Sequence, residues 1–325
     1  MMLHRGVFFL AGLAACLLPG NAIAAAPDVV LDPTGDLQAA PHGGGNAYAP
    51  EIFVEDGVYR MWYGAQGRDG HDRILLAESP DSLVWEPKGV VVDHGDANHV
   101  NDPSVVKVGD TFFMYYTRAP VDVRDEIALV TSKDGRLWQE QGTVFRPGAD
   151  GAWDSLLVGR PSVVHEDGRF RMWYDGRRDL PVGAPAEGVP KSDRSVRAVG
   201  YAESIDGLTW TRSQAEPVFG EDAGGVHVAR IGDTLVMTAE SREGTRLATS
   251  PDGLAWQSQG LLVDRSGADV DRFGHVTPFL LVEPERVALF VGAASSGSWD
   301  HNRIVRVPLS EAQQRLVGRA GPPSP

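Results

Sequence analysis

A strand–turn–strand unit recurs five times along this chain, and any fold must accommodate all five copies. The clearest copy runs from Asn101 to Arg118 and turns at Val108-Gly109-Asp110. β-Branched and aromatic residues on both sides of a glycine-containing turn are typical of a β-hairpin. Every copy starts at a pair equivalent to Asp102-Pro103. The five pairs are Ala49-Pro50, Asp102-Pro103, Arg160-Pro161, Gly225-Val226 and Thr277-Pro278.

A second half-unit follows four of these hairpins: a strand, a Ser-x-Asp turn, and a tryptophan that opens a fourth strand. The tryptophans are Trp85, Trp138, Trp210 and Trp256. Repeats of four short strands are typical of propeller blades. The fifth repeat lacks a fourth strand of its own, and Val29-Val30-Leu31-Asp32 matches the missing pattern. We therefore predict an all-β, five-bladed β-propeller of four-stranded antiparallel blades, with the ring closed by the N-terminal strand.

The N-terminus and the composition indicate where the protein is located and which partners it is expected to have. A basic start, a short apolar run and an Ala-x-Ala end predict a signal peptide over residues 1–26. The propeller is predicted over 27–310, and a flexible tail over 311–325. Cys16 is the only cysteine, so the processed chain would contain no disulfide. The net charge of −14 argues against nucleic-acid and anionic-membrane partners. We expect a secreted or periplasmic monomer, free of the membrane after processing.

Long, varied loops predict that a functional site lies on one face of the disc, over the central channel. Strand alternation then predicts which side chains point into the channel. Those residues are Glu51, Asp102, Arg160, Asp175, His227, Glu240 and His275. Carboxylates, an arginine and imidazoles around one axis suit sugar hydroxyls and acid–base chemistry at a glycosidic bond.

Several of these residues have alternative interpretations. Glu51 and His227 could form a satisfied polar pair inside the channel, and Asp102 could pair with Arg160 on the next blade. Arg118, Arg160 and Arg177 suit the binding of hydroxyl or carboxylate groups. Trp153 and Trp299 lie in loops of the same face and are predicted to stack on sugar rings.

Four segments resemble a known superfamily: Asn101–Val106 with Tyr115–Thr117, Tyr48–Glu51, Ala202–Trp210 and Phe273–His275. They are similar to the five-bladed arabinanase, xylosidase, invertase and levansucrase superfamily, chiefly glycoside hydrolase family 43. The resemblance covers roughly residues 29 to 308. It implies that Asp102 is a general base or nucleophile.

The other two carboxylates of that family have no clean match here. Glu240, Asp175 and Glu51 are substitutes by position only, and Glu240 or Asp175 could act as the acid. Some members hold a central calcium ion or water through a histidine at the place of His275. No metal is predicted here, and no cofactor is required.

The sequence therefore predicts an exported glycoside hydrolase that acts on an oligosaccharide or polysaccharide. An alternative is a non-catalytic carbohydrate-binding propeller, because the carboxylate set is incomplete. A sialidase-like enzyme is a further alternative, since the Ser-x-Asp-Gly-x-x-Trp pattern resembles the Asp-box of sialidases, although the box has one more residue before its tryptophan. A pure protein-interaction propeller fits the ionisable channel less well.

Overall fold

The computed structural model describes residues 27–32, 45–220, 222–284, 286–297 and 301–318. The predicted signal peptide and Trp299 lie outside these ranges. β1 spans Asp28–Leu31. The next strands are β2 Asn46–Glu55, β3 Val58–Gln66, β4 Asp72–Ser79, β5 Glu86–Val92, β6 His99–Val108, β7 Thr111–Ala119, β8 Glu126–Ser132 and β9 Gln139–Phe145. They are followed by β10 Leu157–Glu166, β11 Arg169–Arg177, β12 Leu180–Pro181, β13 Lys191–Ser192, β14 Ala198–Ser204 and β15 Thr211–Arg212. The last strands are β16 His227–Ile231, β17 Thr234–Ser241, β18 Gly244–Ser250, β19 Gln257–Asp264, β20 Gly274–Val282, β21 Val287–Ala294 and β22 Asn302–Pro308.

The strands form four-stranded antiparallel sheets in chain order, as the repeat predicted. The first three sheets are β2-β3-β4-β5, β6-β7-β8-β9 and β10-β11-β14-β15. β16–β19 form a further set, which the pair Ser241–His275 joins to β20–β22. β1 pairs with β22 at Asp28–Arg306 and Val29–Val305, so it supplies the fourth strand of the last set. The short pair β12–β13 lies within the long connection of the third sheet.

The apolar core consists mainly of five clusters, and each lies between two successive sheets. Trp62 and Met114, for example, belong to the cluster between the first and second sheets. The last cluster joins the first sheet to the last strands, with Met61 packed in the same group as Phe290. Burying large side chains between sheets is the main source of stability in such a fold.

The Ser-x-Asp turns connect neighbouring sheets at the end of the molecule away from the long loops. In each turn the serine hydroxyl and the aspartate accept hydrogen bonds from backbone N–H groups, as at Ser132 and Asp134. Trp62 of the first sheet donates to Gly135 O at 3.0 Å, and Trp173 of the third donates to Gly253 O at 2.8 Å. The resemblance of these turns to an Asp-box is therefore accounted for by a structural role.

Side chains on the first strands of the sheets also join each sheet to the next. Glu51 accepts a hydrogen bond from Val105 N at 2.9 Å. The equivalent acceptors on the following sheets are Ser104 for Val163 N, Ser162 for Val228 N and His227 for Leu280 N, at 2.8–3.1 Å. One polar residue on each of the first four sheets thus holds the backbone of the next sheet.

Replacing Ser104 with alanine is expected to lower the free energy of unfolding by about 1–3 kcal/mol, because the buried Val163 N–H loses its acceptor. Urea denaturation followed by tryptophan fluorescence would measure the loss. Ser258→Ala, at an exposed position of β19, is the matched control and should cost less than about 0.5 kcal/mol. Equal losses in the two variants would contradict the role of Ser104.

The C-terminal segment differs from the flexible tail predicted over 311–325. Helix α1 spans Glu311–Leu316 and begins with a capping box between Ser310 and Gln313. Gln313 also donates to Leu262 O of β19 at 2.8 Å, and Val317 is buried in the adjoining core. The fold therefore continues past residue 310, while 319–325 lie outside the described residues. Among the described residues, no helix has the length and apolar character of a membrane span.

Candidate functional site

The five anchor residues share an unusual backbone conformation. Their φ angles are 52° at Ala49, 51° at Asp102, 46° at Arg160, 54° at Gly225 and 42° at Thr277. The strand register shifts at this point in β2, β6, β10 and β20, which marks a β-bulge. Positive φ at a residue other than glycine costs about 1–3 kcal/mol, so the surrounding packing must impose it. Such strain is concentrated at functional sites.

Because of the bulge, side chains at this point do not alternate strictly between the two faces of the strand, contrary to the alternation inferred from the sequence. In most of the repeats the anchor residue and the two residues after it all face the central channel, as Arg160, Pro161 and Ser162 do. The channel volume is only about 30 Å³, which is room for one or two water molecules. Glu51 and His227, predicted as substrate-binding residues, line this narrow channel and hold neighbouring strands. Burial raises the pKa of Glu51 to about 8 and lowers that of His227 to about 3.

Replacing Glu51 with glutamine is expected to stabilise the protein at high pH. Burial raises the folded-state pKa of Glu51 from 4.5 to about 8, so the folded state binds its proton more tightly than the unfolded state does. The stability that this proton contributes is lost as pH rises between those values. Glutamine retains an oxygen for Val105 N and does not ionise. The melting temperatures of Glu51→Gln and the unmodified protein at pH 5 and pH 9 would measure the effect. If the difference between the two melting temperatures is no larger at pH 9 than at pH 5, the prediction is wrong.

Above the channel the loops surround a wide cleft of about 880 Å³, large enough for several sugar units. Asp102, Arg160, Glu240 and His275 line it. Asp175 does not line the cleft. It is fully buried, with Oδ2 3.2 Å from Arg160 Nη1 and 3.7 Å from Arg197 Nη1. The cleft floor is therefore a layer of arginines over a buried carboxylate.

Asp102 and Glu240 lie in contrasting electrostatic environments. Burial raises the pKa of Asp102 to about 7; Arg160, with Nε 4.0 Å from Oδ2, opposes this shift, and Glu240 adds to it. Asp102 Oδ1 is buried and has no hydrogen-bond partner in the part of the chain that the structure describes. Burial also acts on Glu240, but Arg197 and Arg160 outweigh it and lower the pKa of Glu240. Glu240 pairs with Arg197 and accepts from Thr277 N at 3.1 Å. One carboxyl thus retains a proton near neutral pH, and the other is held as an anion.

His275 is buried beside the cleft and belongs to a chain of hydrogen-bonding groups. Its Nδ1 lies 2.8 Å from Thr245 Oγ1, and its Nε2 lies 3.4 Å from Asp271 Oδ2. Asp271 is anchored in turn by Ser266, whose N–H donates at 2.6 Å. The ring is therefore held in one orientation. Within the described ranges, no group of three or more His, Cys, Asp or Glu residues is arranged to hold a metal ion.

Arg118 and Trp153 lie outside the cleft lining. Arg118 pairs with Asp96 at 2.7 Å and with Glu126 at 3.0 Å. Trp153 stacks on Tyr174, with ring centroids 5.8 Å apart, so that face of the indole is covered by the protein. These contacts tie Arg118 and Trp153 into the walls of the second and third sheets.

Sequence reasoning missed several residues that line the cleft: Tyr48, Asp72, Asn101, Asp125 and Arg197. Asp72 begins the third strand of its sheet, and Arg197 immediately precedes the third strand of another. Polar residues at the starts of third strands are the signal that points to both, whereas alternation was applied only to first and second strands. Arg177, which the sequence indicated as suited to binding hydroxyl or carboxylate groups, also lines the cleft. Within the described residues its guanidinium has no hydrogen-bond or ion-pair partner.

Several known proteins are similar to this chain in sequence or in fold. No protein-family model matches the chain. The uncharacterised protein MT1551 of Mycobacterium tuberculosis is 24% identical over 237 residues, which is 64% of this chain and 74% of that protein. A 1,2-beta-oligomannan phosphorylase of Thermoanaerobacter sp. is 30% identical over 129 residues, 38% of this chain and 41% of that protein.

Solved structures match nearly the whole chain. BT0996, solved as a complex with RGII, superimposes with a TM-score of 0.73 at 19% identity, covering 87% of this protein and 91% of BT0996. A second structure comes from the GH130 family of mannoside phosphorylases, which contains hydrolases of beta-1,2 mannosidic linkages in Candida mannan. It superimposes with a TM-score of 0.65 at 14% identity, covering 91% of this protein and 99% of that structure. A thermostable family-43 glycoside hydrolase superimposes with a TM-score of 0.62 at 15% identity, covering 82% of this protein and 91% of that structure.

The chain therefore has the fold of the propeller glycoside hydrolases. Family 43 does not stand out among these structures, because the GH130 structure has the slightly higher TM-score. The closeness to family 43 expected from the motifs is thus not confirmed.

Proposed function

We propose that this protein is a glycosidase on a closed five-bladed propeller, acting on an oligosaccharide or polysaccharide in the wide cleft. The observation that carries the proposal is the contrasting pair on the cleft floor: Asp102, with a pKa of about 7, and the anion Glu240. Two carboxyl groups with pKa values moved apart are what acid–base cleavage of a glycosidic bond requires. The pairing of β1 with β22 supports the closed ring.

The electrostatics favour the reverse of the roles that the family resemblance implied. Asp102 retains a proton near neutral pH, which suits donation to the glycosidic oxygen as the bond to the anomeric carbon breaks. Glu240, held ionised by Arg197, cannot supply that proton but can stabilise positive charge that develops on the sugar ring. A water molecule forms the new bond to the anomeric carbon, and its proton passes to the Glu240 carboxylate or to solvent. Asp175, buried beneath Arg160 and Arg197, is a positioning residue in this account.

Phosphorolysis is a second candidate, and Arg177 is the observation that favours it. Its guanidinium lies in the cleft with no partner among the described residues, in the electrostatic field of Arg160 and Arg197. Three arginines suit a phosphate ion, which can attack the anomeric carbon without a general base. The relative named as an oligomannan phosphorylase fits this alternative.

Export of the protein remains a proposal that rests on the sequence of residues 1–26.

One experiment separates these functions. The purified protein is incubated with 1,2-beta-linked mannotriose, arabinotriose and xylotriose, each with and without inorganic phosphate, and products are identified by chromatography. Free sugars in both conditions indicate a hydrolase, and a sugar phosphate formed only with phosphate indicates a phosphorylase. Saccharide binding by calorimetry with no product after long incubation would reject the enzymatic proposal in favour of a carbohydrate-binding propeller.

A further inference from the structure

We propose that Tyr48, Asp72 and Asn101 form a second sugar subsite, which accepts hydrogen bonds from two hydroxyl groups beside the bond that Asp102 acts on. The inference rests on the proposed function and adds a subsite on the side of the cleft formed by the first and second sheets. All three side chains line the cleft, and Asn101 is the chain neighbour of Asp102.

The three side chains form one hydrogen-bonded cluster. Tyr48 OH donates to Asp72 Oδ2 at 2.8 Å and accepts from Asn101 Nδ2 at 2.8 Å. Asn101 Nδ2 lies 3.4 Å from Asp72 Oδ2. The carboxylate only accepts, so the hydroxyl must donate to it and must receive from the amide nitrogen. This chain of donors orients Asn101 Oδ1 away from the cluster.

The cluster leaves two buried oxygens, Asp72 Oδ1 and Asn101 Oδ1, without partners among the residues that the structure describes. Asp72 is only 7% exposed. A buried acceptor without a partner costs about 1–3 kcal/mol, so a ligand that supplies donors recovers this free energy on binding. Both oxygens only accept, and the ligand must therefore donate at two adjacent positions. Neighbouring hydroxyl groups of a sugar ring meet that requirement.

The backbone around Tyr48 is built to admit its ring at this place. The second strands carry Thr117, Asp175 and Glu240 at the positions equivalent to Gly64 and Gly292. A Cβ at Gly64 would lie 3.3 Å from the Tyr48 ring, and one at Gly292 would lie 2.9 Å from Tyr48 Cβ. The two glycines therefore make room for the tyrosine that orients Asp72.

The test uses the Asp102→Asn variant, so that binding is measured without turnover. Calorimetry with mannotriose, arabinotriose and xylotriose identifies the sugar that binds. Asp72→Asn and Asn101→Ala are then added separately to this variant, and thermal melting confirms that each protein is folded. Asp150→Asn is the control, because it removes an exposed carboxylate on the loop between β9 and β10. We expect Asp72→Asn and Asn101→Ala each to raise Kd at least about tenfold and the control to change it less than about twofold.

Monodeoxy analogues of the bound sugar test which hydroxyl group Asp72 contacts. The penalty of Asp72→Asn should disappear for the analogue that lacks the contacted hydroxyl. Unchanged Kd values in both folded double variants would overturn the subsite while leaving the proposed function in place. No binding of any of the three sugars by Asp102→Asn, together with no turnover by the unmodified protein, would overturn the proposed function and the subsite with it.

Discussion

Replacing Asp102 with asparagine is expected to reduce turnover by about 10²–10⁴-fold, because the residue that transfers the proton is lost while the shape of the site is kept. The protein should remain folded. Asp102 has a folded-state pKa of about 7 against a usual 3.8, so the stability contributed by its proton is lost as pH rises between these values. Asparagine does not ionise, and the variant should therefore melt at an equal or higher temperature at pH 8.

Initial rates on the sugar cleaved by the unmodified protein, with melting curves at pH 5 and pH 8, would measure both effects. Asp150→Asn removes an exposed carboxylate of the same charge from the loop between β9 and β10 and should keep at least half of the activity. If Asp102 is the acid, kcat/KM should fall as pH rises through about 7. Near-normal turnover by Asp102→Asn would reject its assignment to proton transfer.

Replacing Arg160 with glutamine is expected to destabilise the protein by about 3–5 kcal/mol, since the fully buried Asp175 loses its nearest cation. Arg160 also lowers the pKa of Asp102, so its loss should move the pH profile of activity to higher pH. Urea denaturation midpoints and a pH–rate profile would measure the two effects separately. A merely structural residue would change the first without shifting the second.

Arg230→Gln is the matched control for Arg160. Arg230 lies on the neighbouring strand β16 and pairs with Glu166 at 2.7 Å near the surface. Such exposed pairs are worth about 0–1 kcal/mol. A second variant, Arg160→Gln with Asp175→Asn, should recover part of the lost stability, because the buried carboxylate is no longer charged. Equal losses at Arg160 and Arg230, with no recovery in the double variant, would show that the buried pair does not stabilise the fold.

Much of the architecture could be predicted because it depends on sequence patterns between residues that are close in the chain. The hairpin that ends at Arg118, the turn at Asp134 and the tryptophans that follow such turns each depend on neighbours in the chain. The pairing of the N-terminal strand with the last sheet was predictable because Val29-Val30-Leu31-Asp32 matches the missing fourth strand. The bulges were not predictable from periodicity, because an alternating pattern does not reveal one extra residue in a strand.

The sequence by itself determined the repeat, the all-β class and the presence of Asp102 near the axis, because local propensity and alternation specify hairpins. Only the tertiary structure decided the chemistry of the site. Asp175 became a buried partner of Arg160, Glu51 became a link between strands, and Tyr48 met Asp72 across two strands of one sheet. Residues distant in the chain make these contacts, and their burial and charges set the pKa values of Asp102 and Glu51. The residues adjacent in the sequence encode neither.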